Sequence, residues 1–525
     1  MTPSSEPGRR TILISAFLST LLILLCGGMA AYVLSDPDIK WAYLVSRAAT
    51  EVQAEYVEPV NWEQAFRSAQ EAMFSELDRY SGYIDRQEFS EMREELSGGY
   101  SGIGVVVTKD ARGLLALAVR ENGPSAAAGL LNGDIIEKVD SIDVAPLDLQ
   151  ASSRVLRGRD GSTVRLKVFR PATGETLTPT VTRGRVELEH IPYAGYTQDS
   201  VIYIRLLDFE AGASQDLSDA LDSLLDKPGA KPRGLILDLK RNPGGLYEEA
   251  IAVCNLFLER GRFIVGTAAR SRWEVERHYS TERDVTGGLP MAVLVDRGSA
   301  SSAEITAGAL RQLGRAVLIG DTTYGKGLVQ GYSQFPDGSG IRLTISRYFL
   351  EGNLFLNRLD SSHSDTGSGL TPDFFLPSED RSPFLSYLES SLLMFRFAHS
   401  HQDEIIAGPP ELHLPYYWVE QFALFAEQEK FEFVSQQTMD ALALLSIAKL
   451  EQSYPESIAR AEELVAIARK DDRRQFFANW AYIEMRLRQI AFDRKYGSYR
   501  SFAEAIVNVR PDIKFAAQIL RRGTS

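Results

Sequence analysis

The alternation of buried strands and helices between residues 186 and 380 limits the fold of this chain more than any other feature. Each strand is a short apolar run, and a helical pattern follows it. The three clearest strand–helix pairs are 201–206 with 217–225, 234–239 with 247–258, and 290–295 with 305–313. Parallel neighbouring strands need a crossover connection, so this alternation is typical of a mostly parallel α/β layer.

The loop that joins the last of these strands to its helix, Asp296 to Ile305, is rich in serine and alanine. Ser301 stands where the helix is expected to begin, and free N–H groups and the helix dipole favour an anion there. Two interpretations compete. Ser301-x-x-Glu304 is a common capping box, whereas a serine at a strand–helix junction is also suited to act as a nucleophile.

A second segment, Tyr324 to Gln330, sets one lysine between two glycines. Together the two segments resemble the signature of the C-terminal processing peptidases (tail-specific proteases), G-S-A-S-A-S-E-I followed by G-K-G-x-V-Q. The resemblance implies that Ser301 is the nucleophile, Lys326 is its general base and Gln330 supports the lysine. This chain has S-S-A-E where the family usually has S-A-S-E, so the nucleophile position is kept while its neighbours differ.

A lysine can accept a proton only when its amine is neutral, so burial must lower its pKa from the reference value of about 10.4. The neighbours Tyr324, Leu328 and Val329 can supply apolar surroundings. A nearby carboxylate would act in the opposite direction. We therefore predict that the Glu304 carboxylate does not pair with the Lys326 amine.

The turn from Lys240 to Gly245 follows the second strand and resembles the family motif D-L-R-x-N-P-G-G, with lysine in the arginine position. A plain strand-to-helix connection is the alternative interpretation. Acyl transfer, however, needs donors aimed at the tetrahedral oxyanion, and glycines leave backbone amides unobstructed. We assign the oxyanion hole to the amide of Gly244 or Gly245 together with that of Ser302.

Residues 98–185 resemble a PDZ domain. The glycine-rich turn Gly102-Ile103-Gly104 precedes a β-branched strand, and the segments 123–130 and 131–140 follow in the PDZ order. The resemblance implies that Gly102, Ile103 and Gly104 form the loop that holds a terminal carboxylate. An extended peptide with an apolar C-terminus would then add to the edge of the sheet.

Arg157 lies where the second PDZ helix ends. One interpretation is a solvated cation that complements the helix dipole. The family resemblance implies another role, in which an arginine of this L-R-G element couples occupancy of the PDZ domain to the active site. Both interpretations stay open on the sequence.

Residues 11–35 contain no charged side chain, and a helix of that length would cross a hydrocarbon layer of about 30 Å. Arg9 and Arg10 precede the run, so the positive-inside rule exports the chain after residue 36. We expect an extracytoplasmic protein in the periplasm or cell envelope. The run serves either as a membrane anchor or as a signal peptide cleaved near Gly28-Met29-Ala30.

The composition excludes several function classes. The formal net charge of −13, without a long basic run, argues against nucleic acid as a partner. Two cysteines cannot build a disulfide framework or a paired-cysteine zinc site. His399 and His401 lie near two acidic residues, but a solvated helix end or loop explains them better than a metal site does. The chemistry outlined above requires no metal and no organic cofactor.

At 525 residues the chain is too long for one core. We predict a multidomain α+β protein whose core, from the resemblance, is crotonase-like. In family members such helical segments either pack on the core or join protomers, so the resemblance leaves a homo-oligomer as one of two alternatives. The predicted divisions are a cytoplasmic tail with signal anchor at 1–36, a helical N-terminal segment at 37–97, the PDZ domain at 98–185, a Ser-Lys protease core at 186–380 and a helical C-terminal domain at 381–525.

The sequence therefore predicts a serine endopeptidase that captures the apolar C-terminal tails of protein or peptide substrates. The alternative from a different class is a membrane-tethered PDZ scaffold or chaperone with an inactive protease core. A PDZ protease of the His-Asp-Ser type is disfavoured, because no G-N-S-G-G motif accompanies the scattered histidines.

Overall fold

The structure is a computed structural model. The chain forms two compact units, Met1–Tyr83 and Ile84–Ser525. The residues that it describes are 17–22, 24–25, 28, 32, 37–96, 99–171, 173–187, 189–270, 275–355, 369–377, 382–407, 413–450, 454–496 and 507–522.

The first unit is helical over most of its described length. It contains α1 (Pro37–Glu55) and α2 (Trp62–Phe74), and strand β1 (Gly82–Ile84) crosses the division between the units. The side chain of Asn61 accepts a hydrogen bond from the Gln64 N–H (3.1 Å) and so caps the N-terminus of α2. Most of the apolar run at 11–35 lies outside the described residues. Within the described part of the chain, no helix is both long and apolar enough to span a bilayer.

The second unit begins with a helix and the PDZ-like sheet. Its elements are α3 (Arg86–Leu96), β2 (Gly99–Gly102), β3 (Val105–Asp110), β4 (Gly113–Val119), α4 (Pro124–Ala127), β5 (Ile135–Val139), β6 (Ile142–Asp143), α5 (Leu149–Leu156), β7 (Thr163–Arg170), β8 (Glu175–Leu177), β9 (Thr180–Thr182) and β10 (Gly184–Glu187). The sheet order is β3-β4-β5-β7-β8, with β6 on β5 and β9 on β7. Alternate residues of β7 are buried (Val164, Leu166 and Val168), as expected for a sheet with one face on a core. Strand β3 therefore stands at the end of this sheet, and α5 packs beside it.

The core that follows contains two further sheets. Its elements are β11 (Tyr193–Tyr196), β12 (Ile202–Arg205), α6 (Ala213–Leu225), β13 (Leu235–Asp238), α7 (Tyr247–Phe257), β14 (Phe263–Ala269), β15 (Val275–Tyr279), β16 (Met291–Val295), α8 (Ser302–Gln312), β17 (Val317–Gly320), β18 (Leu328–Gln334), β19 (Gly340–Leu350), a 3₁₀ turn (Glu351–Asn353), β20 (Leu354–Phe355) and β21 (Phe374–Phe375). The predicted strands and helices of the alternating region are present, with ends within a few residues of those expected.

The central sheet has the order β11-β12-β13-β16-β17-β21, and every pair except β11–β12 is parallel. Its strands are buried on both faces, which explains why they are continuous apolar runs. Ile202 and Ile204 face the layer of α6, α7 and α8, whereas Tyr203 between them faces the other side. Because β13 and β16 are neighbours, the loops at their carboxyl ends lie next to each other.

Helix α8 is buried on all sides from Ser302 to Leu310, and this is possible because its residues are mostly small. A second sheet lies over it, formed by β15, β14 and β19 with β18 and β20 paired to β19. The loop that carries Lys326 leads directly into β18. The central sheet and the second sheet therefore bring the two predicted catalytic segments together.

The C-terminal region is helical, as predicted. Its helices are α9 (Pro383–Ser390), α10 (Leu393–Ser400), α11 (Gln402–Ile405), α12 (Tyr417–Gln428), α13 (Gln436–Leu450), α14 (Pro455–Ala478), α15 (Trp480–Tyr496) and α16 (Pro511–Arg522). Phe384, Phe422 and Phe476 lie in one hydrophobic core that is rich in aromatic side chains. Helix α16 packs instead against the central sheet, where Ile513, Ala516 and Leu520 cover the face that α6, α7 and α8 leave open.

Candidate active site

Ser301 occupies a sharp turn between β16 and α8. Its backbone angles are φ 53° and ψ −117°, a left-handed conformation that a serine adopts only at a cost. Helix α8 begins at the next residue, so the turn points the Ser301 side chain away from the helix core and half exposes it. Strand-to-helix turns of this kind present nucleophilic serines in α/β-hydrolases.

Glu304 connects this turn with the lysine loop. Its fully buried carboxylate accepts hydrogen bonds from the N–H groups of Ser301 (2.9 Å), Gly325 (2.7 Å) and Lys326 (2.9 Å). The Thr323 hydroxyl donates a fourth bond at 2.5 Å. Burial raises the pKa of Glu304, while the hydrogen bonds from Thr323 and the three amides act to lower it. The glutamate side of the predicted capping box is therefore present, and the same carboxylate also holds the backbone of Lys326.

Tyr348 provides a second connection between the two segments. Its side chain is 1% exposed, and its hydroxyl donates a short hydrogen bond to the Lys326 carbonyl. The same hydroxyl lies 3.4 Å from the Ser301 carbonyl oxygen. The backbones of the two predicted catalytic residues are thus fixed to each other from two sides.

The N-P-G-G turn is held against the serine turn by buried polar contacts. The Asn242 amide donates to the Leu206 carbonyl (2.9 Å), and its Oδ1 accepts the Gly244 N–H (2.9 Å). The Ser302 hydroxyl donates to the Gly245 carbonyl at 3.0 Å. A side chain at Gly244 would put a Cβ 2.8 Å from the Ser301 Cβ, so the close approach requires glycine.

These contacts distinguish the two glycines that the sequence left as alternatives. The Gly244 N–H is already engaged by Asn242. Among the described residues, neither the Gly245 N–H nor the Ser302 N–H has a hydrogen-bond acceptor. Gly245 and Ser302 therefore keep the amides that remain open to an oxyanion.

One cavity of about 860 Å³ contains the whole predicted catalytic set. Its lining includes the following residues of that set: Ser301, Ser302, Lys326, Gln330, Gly244 and Gly245. Leu328 and Val329 form part of the apolar wall beside Lys326, as predicted, whereas the Tyr324 side chain is exposed. Gln330 lines the same cavity, and its amide lies 3.4 Å from the Thr344 hydroxyl.

Comparisons with known proteins point to one family. The sequence profile of peptidase family S41 matches residues 200–374, and a PDZ profile matches residues 116–170. A carboxy-terminal-processing protease of Bartonella bacilliformis is 32% identical over 323 residues, which are 61% of this chain and 72% of that protein. The chain belongs to the carboxy-terminal processing proteases of family S41. It is a serine-type peptidase with a PDZ domain.

A second relative by sequence agrees with this membership. The carboxy-terminal processing protease CtpA of Bacillus subtilis is 31% identical over 342 residues, covering 64% of this chain and 72% of the relative. Among solved structures, a photosystem II D1 C-terminal processing protease is 26% identical. That match covers 62% of this chain and 85% of the other, with a TM-score of 0.38.

The PDZ domain of this protease keeps its predicted loop outside the catalytic cavity. Ile103 is buried, Gly104 has φ +71°, and the Ile103 carbonyl accepts the Ser125 N–H at the start of α4 (2.9 Å). The Gly102–Gly104 loop leads into β3, the strand at the end of the PDZ sheet. This arrangement fits the binding of a peptide substrate along β3.

Arg157 caps the end of α5, and its guanidinium lies over the ring of Tyr100, 4.9 Å from the centroid. Tyr100 belongs to β2, the strand that leads into the Gly102–Gly104 loop. Arg157 is half-buried against this loop rather than free in solvent, and it does not line the catalytic cavity.

A buried ionic network, which could not be predicted from the sequence, lies directly before the N-P-G-G turn. Asp238 ends β13 and contacts Arg510 Nη1 (2.9 Å) and the Tyr203 hydroxyl (2.6 Å). Lys240, in the family's arginine position, bonds to Asp512 at 3.0 Å. Burial acts to raise the pKa of Asp238, but the charges of Arg510 and Arg205 outweigh it and keep the pKa low.

The described residues contain no group of three or more His, Cys, Asp or Glu side chains that could hold a metal ion. His399 packs edge-on against Phe395, and His401 stacks on Phe397. Sequence reasoning also missed the connecting role of Glu304 and the role of Asn242 in the turn. The second could have been found from the N-P-G-G motif, because an asparagine before such a turn commonly binds backbone two residues on.

Proposed function

We propose that this protease cleaves peptide bonds by an attack of Ser301, with neutral Lys326 as the general base. The Lys326 amine takes the hydroxyl proton while Ser301 Oγ bonds to the substrate carbonyl carbon. The resulting ammonium gives its proton to the leaving amine, and an acyl-enzyme remains. Water then attacks the ester with Lys326 again as base, releasing the carboxylate product and restoring the serine.

The observation that carries this proposal is the double contact of one Glu304 oxygen. Its Oε2 accepts both the Ser301 N–H and the Lys326 N–H, each at 2.9 Å. A buried carboxylate that holds both backbones sets how far apart they lie, and both residues line the same cavity. The described contacts of the Glu304 carboxylate are with amides and a hydroxyl, which agrees with the expectation that it does not neutralise the lysine amine.

Stabilisation of the oxyanion is assigned to the N–H groups of Gly245 and Ser302. Both amides line the cavity beside Ser301 and have no acceptor within the described part of the chain. A preorganised donor of this kind typically contributes about 2.7–4 kcal/mol to the transition state.

The proposal includes capture of the substrate tail by the PDZ domain. The Gly102–Gly104 loop would receive the terminal carboxylate, and the chain would extend along β3 toward α5. Arg157, stacked on Tyr100 beside this loop, is suited to sense an occupied site. We propose it as the residue that couples binding to cleavage.

The test of the dyad uses an internally quenched peptide with an apolar C-terminus. Ser301→Ala and Lys326→Met should each lower kcat by about 1000-fold or more, because the members of a catalytic unit act together. Binding of the same peptide should stay within twofold of wild type. Ser333→Ala, at an exposed position on β18, is the matched control and should leave kcat unchanged.

An acyl-serine probe separates this proposal from the inactive-scaffold alternative. Covalent labelling of wild type, lost in Ser301→Ala, supports the protease. Tail binding without labelling in either protein would favour the scaffold. Residual cleavage above about a tenth of wild type in Ser301→Ala would contradict the assignment of the nucleophile.

We also propose that residues 11–35 associate with the membrane and that the enzyme acts on its extracytoplasmic side. The support is the uncharged run with Arg9 and Arg10 before it. Alkaline phosphatase fused after residue 96 should be active only if that point is exported, since the reporter needs an oxidising compartment. An inactive but stable fusion would contradict this orientation, and deletion of residues 11–35 is the control.

A further inference from the structure

The catalytic cavity extends past the serine to an acidic region that the mechanism does not use. Tyr247 and Glu248, at the start of α7, and Glu276 of β15 line this part of the cavity. We call these three residues the acidic rim. The Tyr247 hydroxyl is buried and has no hydrogen-bond partner among the described residues. A buried, unpaired hydroxyl inside a substrate cavity is a polar group that a ligand can satisfy.

Among the described residues, neither carboxylate of the rim forms an ion pair with a lysine or an arginine. Glu248 is exposed and has no described partner, whereas the adjacent Glu249 accepts the N–H groups of Gly212 (3.1 Å) and Ser214 (2.8 Å). The Glu276 side chain is 76% exposed, and its described contact is His278 at 3.8 Å. Arg277 points to the other face of β15, where it lies over the ring of Phe349.

Both carboxylates lie close enough to act on Tyr247 electrostatically. Burial raises the pKa of the Tyr247 hydroxyl, and the charges of Glu276 and Glu248 raise it further. The Tyr247 ring also packs edge-on against His278, 5.5 Å between centroids, which fixes the ring in place. The rim therefore consists of an aromatic ring that packs against His278 and of two carboxylates beside that ring.

The remaining charges of the cavity do not cancel those of the rim. Glu210 also lines the cavity, and its charge raises the pKa of Tyr332. The charge of Arg342 lowers the pKa of the same tyrosine, so Arg342 offsets Glu210. Lys326 is the one basic residue in the described lining, and it must be neutral to act as the base. During catalysis the rim thus keeps an excess of negative charge near the reacting bond.

We propose that the acidic rim selects substrates that carry a lysine or arginine side chain near the scissile bond. The aliphatic part of that side chain would lie along the Tyr247 ring, and the Tyr247 oxygen would accept a hydrogen bond from its cationic end. Glu248 and Glu276 would then supply the opposite charge. This inference rests on the proposed catalytic role of Ser301 and specifies the substrate class of the same site.

The test uses internally quenched alanine-rich peptides with one common apolar C-terminus. Lys, Gln or Glu replaces alanine at one of the six positions around the cleaved bond, and mass spectrometry identifies that bond. For wild type at low salt, kcat/KM should be about tenfold higher with Lys than with Glu at one position at least, since two exposed charge pairs act there. The preference should fall as ionic strength rises.

Variants of the rim separate this inference from a general charge effect. Glu248→Gln/Glu276→Gln should reduce the Lys-to-Glu ratio below threefold, through a lower kcat/KM for the Lys peptide and a higher one for the Glu peptide. Glu259→Gln removes an exposed charge just beyond the other end of α7, outside the cavity lining, and should keep the full ratio. A wild-type ratio below threefold at all six positions, or an unchanged ratio in the double variant, would overturn the proposal.

Failure of the inference and failure of the proposed function give different results. If Ser301→Ala abolishes cleavage of the Gln peptide but the rim variants change no ratio, the dyad stands and the rim has no selective role. If Ser301→Ala still cleaves that peptide, the assignment of the nucleophile fails first.

Discussion

At the scale of single residues, Glu304 shows how one side chain can serve both structure and chemistry. Its Oε1 accepts Thr323 and Gly325, and its Oε2 accepts Ser301 and Lys326. Each oxygen therefore faces two donors. In Glu304→Gln, the side-chain NH₂ group would replace one of these two oxygens in either orientation of the amide. One pair of donors would then face another donor instead of an acceptor.

We expect Glu304→Gln to lower kcat by about 100-fold, because a small displacement of the dyad is costly. It should also destabilise the fold by roughly 1–3 kcal/mol through unsatisfied buried donors. The measurements are steady-state kinetics and urea unfolding. Glu484→Gln is the control, since Glu484 is also buried and accepts the Leu414 N–H (2.6 Å) far from the cavity. A kcat within threefold of wild type would contradict the connecting role of Glu304.

His190 offers a pH-dependent prediction. Its ring nitrogen lies 2.6 Å from the Asp208 carboxylate, and this hydrogen bond raises the pKa of His190 although burial acts against it. The protonated pair therefore stabilises the fold fully below the unfolded value of about 6.5, and this contribution is lost as pH rises through the raised folded pKa.

His190→Gln should consequently destabilise the protein by about 1–3 kcal/mol at pH 6 and by clearly less at pH 9. Urea unfolding at both pH values measures the difference. Ser333→Ala, at an exposed position on β18, is the control and should leave the free energy of unfolding nearly unchanged at both pH values. Equal destabilisation by His190→Gln at pH 6 and pH 9 would argue against a charged pair.

At the scale of elements, the strands of the central sheet could be predicted from the sequence, whereas the position of one helix that covers the sheet could not. Apolar runs such as 290–295 are buried on both faces, and that pattern identifies a parallel strand. Helix α16 is amphipathic, but a helical pattern does not state which surface its apolar face will cover. The ion pairs of Arg510 and Asp512 form only when α16 packs on the central sheet, so they could not be predicted from the sequence either.

Arg510→Met should destabilise the protein by about 3–5 kcal/mol, because Asp238 would keep a buried charge without its nearest cation. The kcat should also fall, since Asp238 directly precedes the turn that carries Gly244 and Gly245. Adding Asp238→Asn should recover part of the stability. Urea unfolding and kinetics on the same peptide substrate measure both effects.

Arg521→Met is the matched control on the same helix. Its side chain pairs with Asp199 at a largely exposed position, and such pairs contribute about 0–1 kcal/mol. Similar losses from Arg510→Met and Arg521→Met would mean that the buried network has no special role in holding the turn.

At the scale of the whole molecule, the proposed catalytic residues could be named from the sequence because they lie in short motifs whose chemistry is local. The arrangement around them was not. Whether the N–H of Gly244 or that of Gly245 lacks an acceptor depends on the Asn242 side chain. The connection between the backbones of Ser301 and Lys326 depends on Glu304, which the sequence pattern identifies only as part of a capping box. The acidic rim joins residues from α7 and β15 that only folding brings together.

The position of α16 in the chain order has a consequence for how the enzyme is made. Lys240 and its partner Asp512 are 272 residues apart, so every residue of the cavity leaves the ribosome well before the helix that covers Tyr203, Ile236 and Leu294. A nascent chain that ends near residue 380 already carries the full catalytic set, yet one face of its sheet is bare and Asp238 has no Arg510 beside it. We therefore expect cleavage activity to appear only after α16 has been synthesised and packed on the sheet.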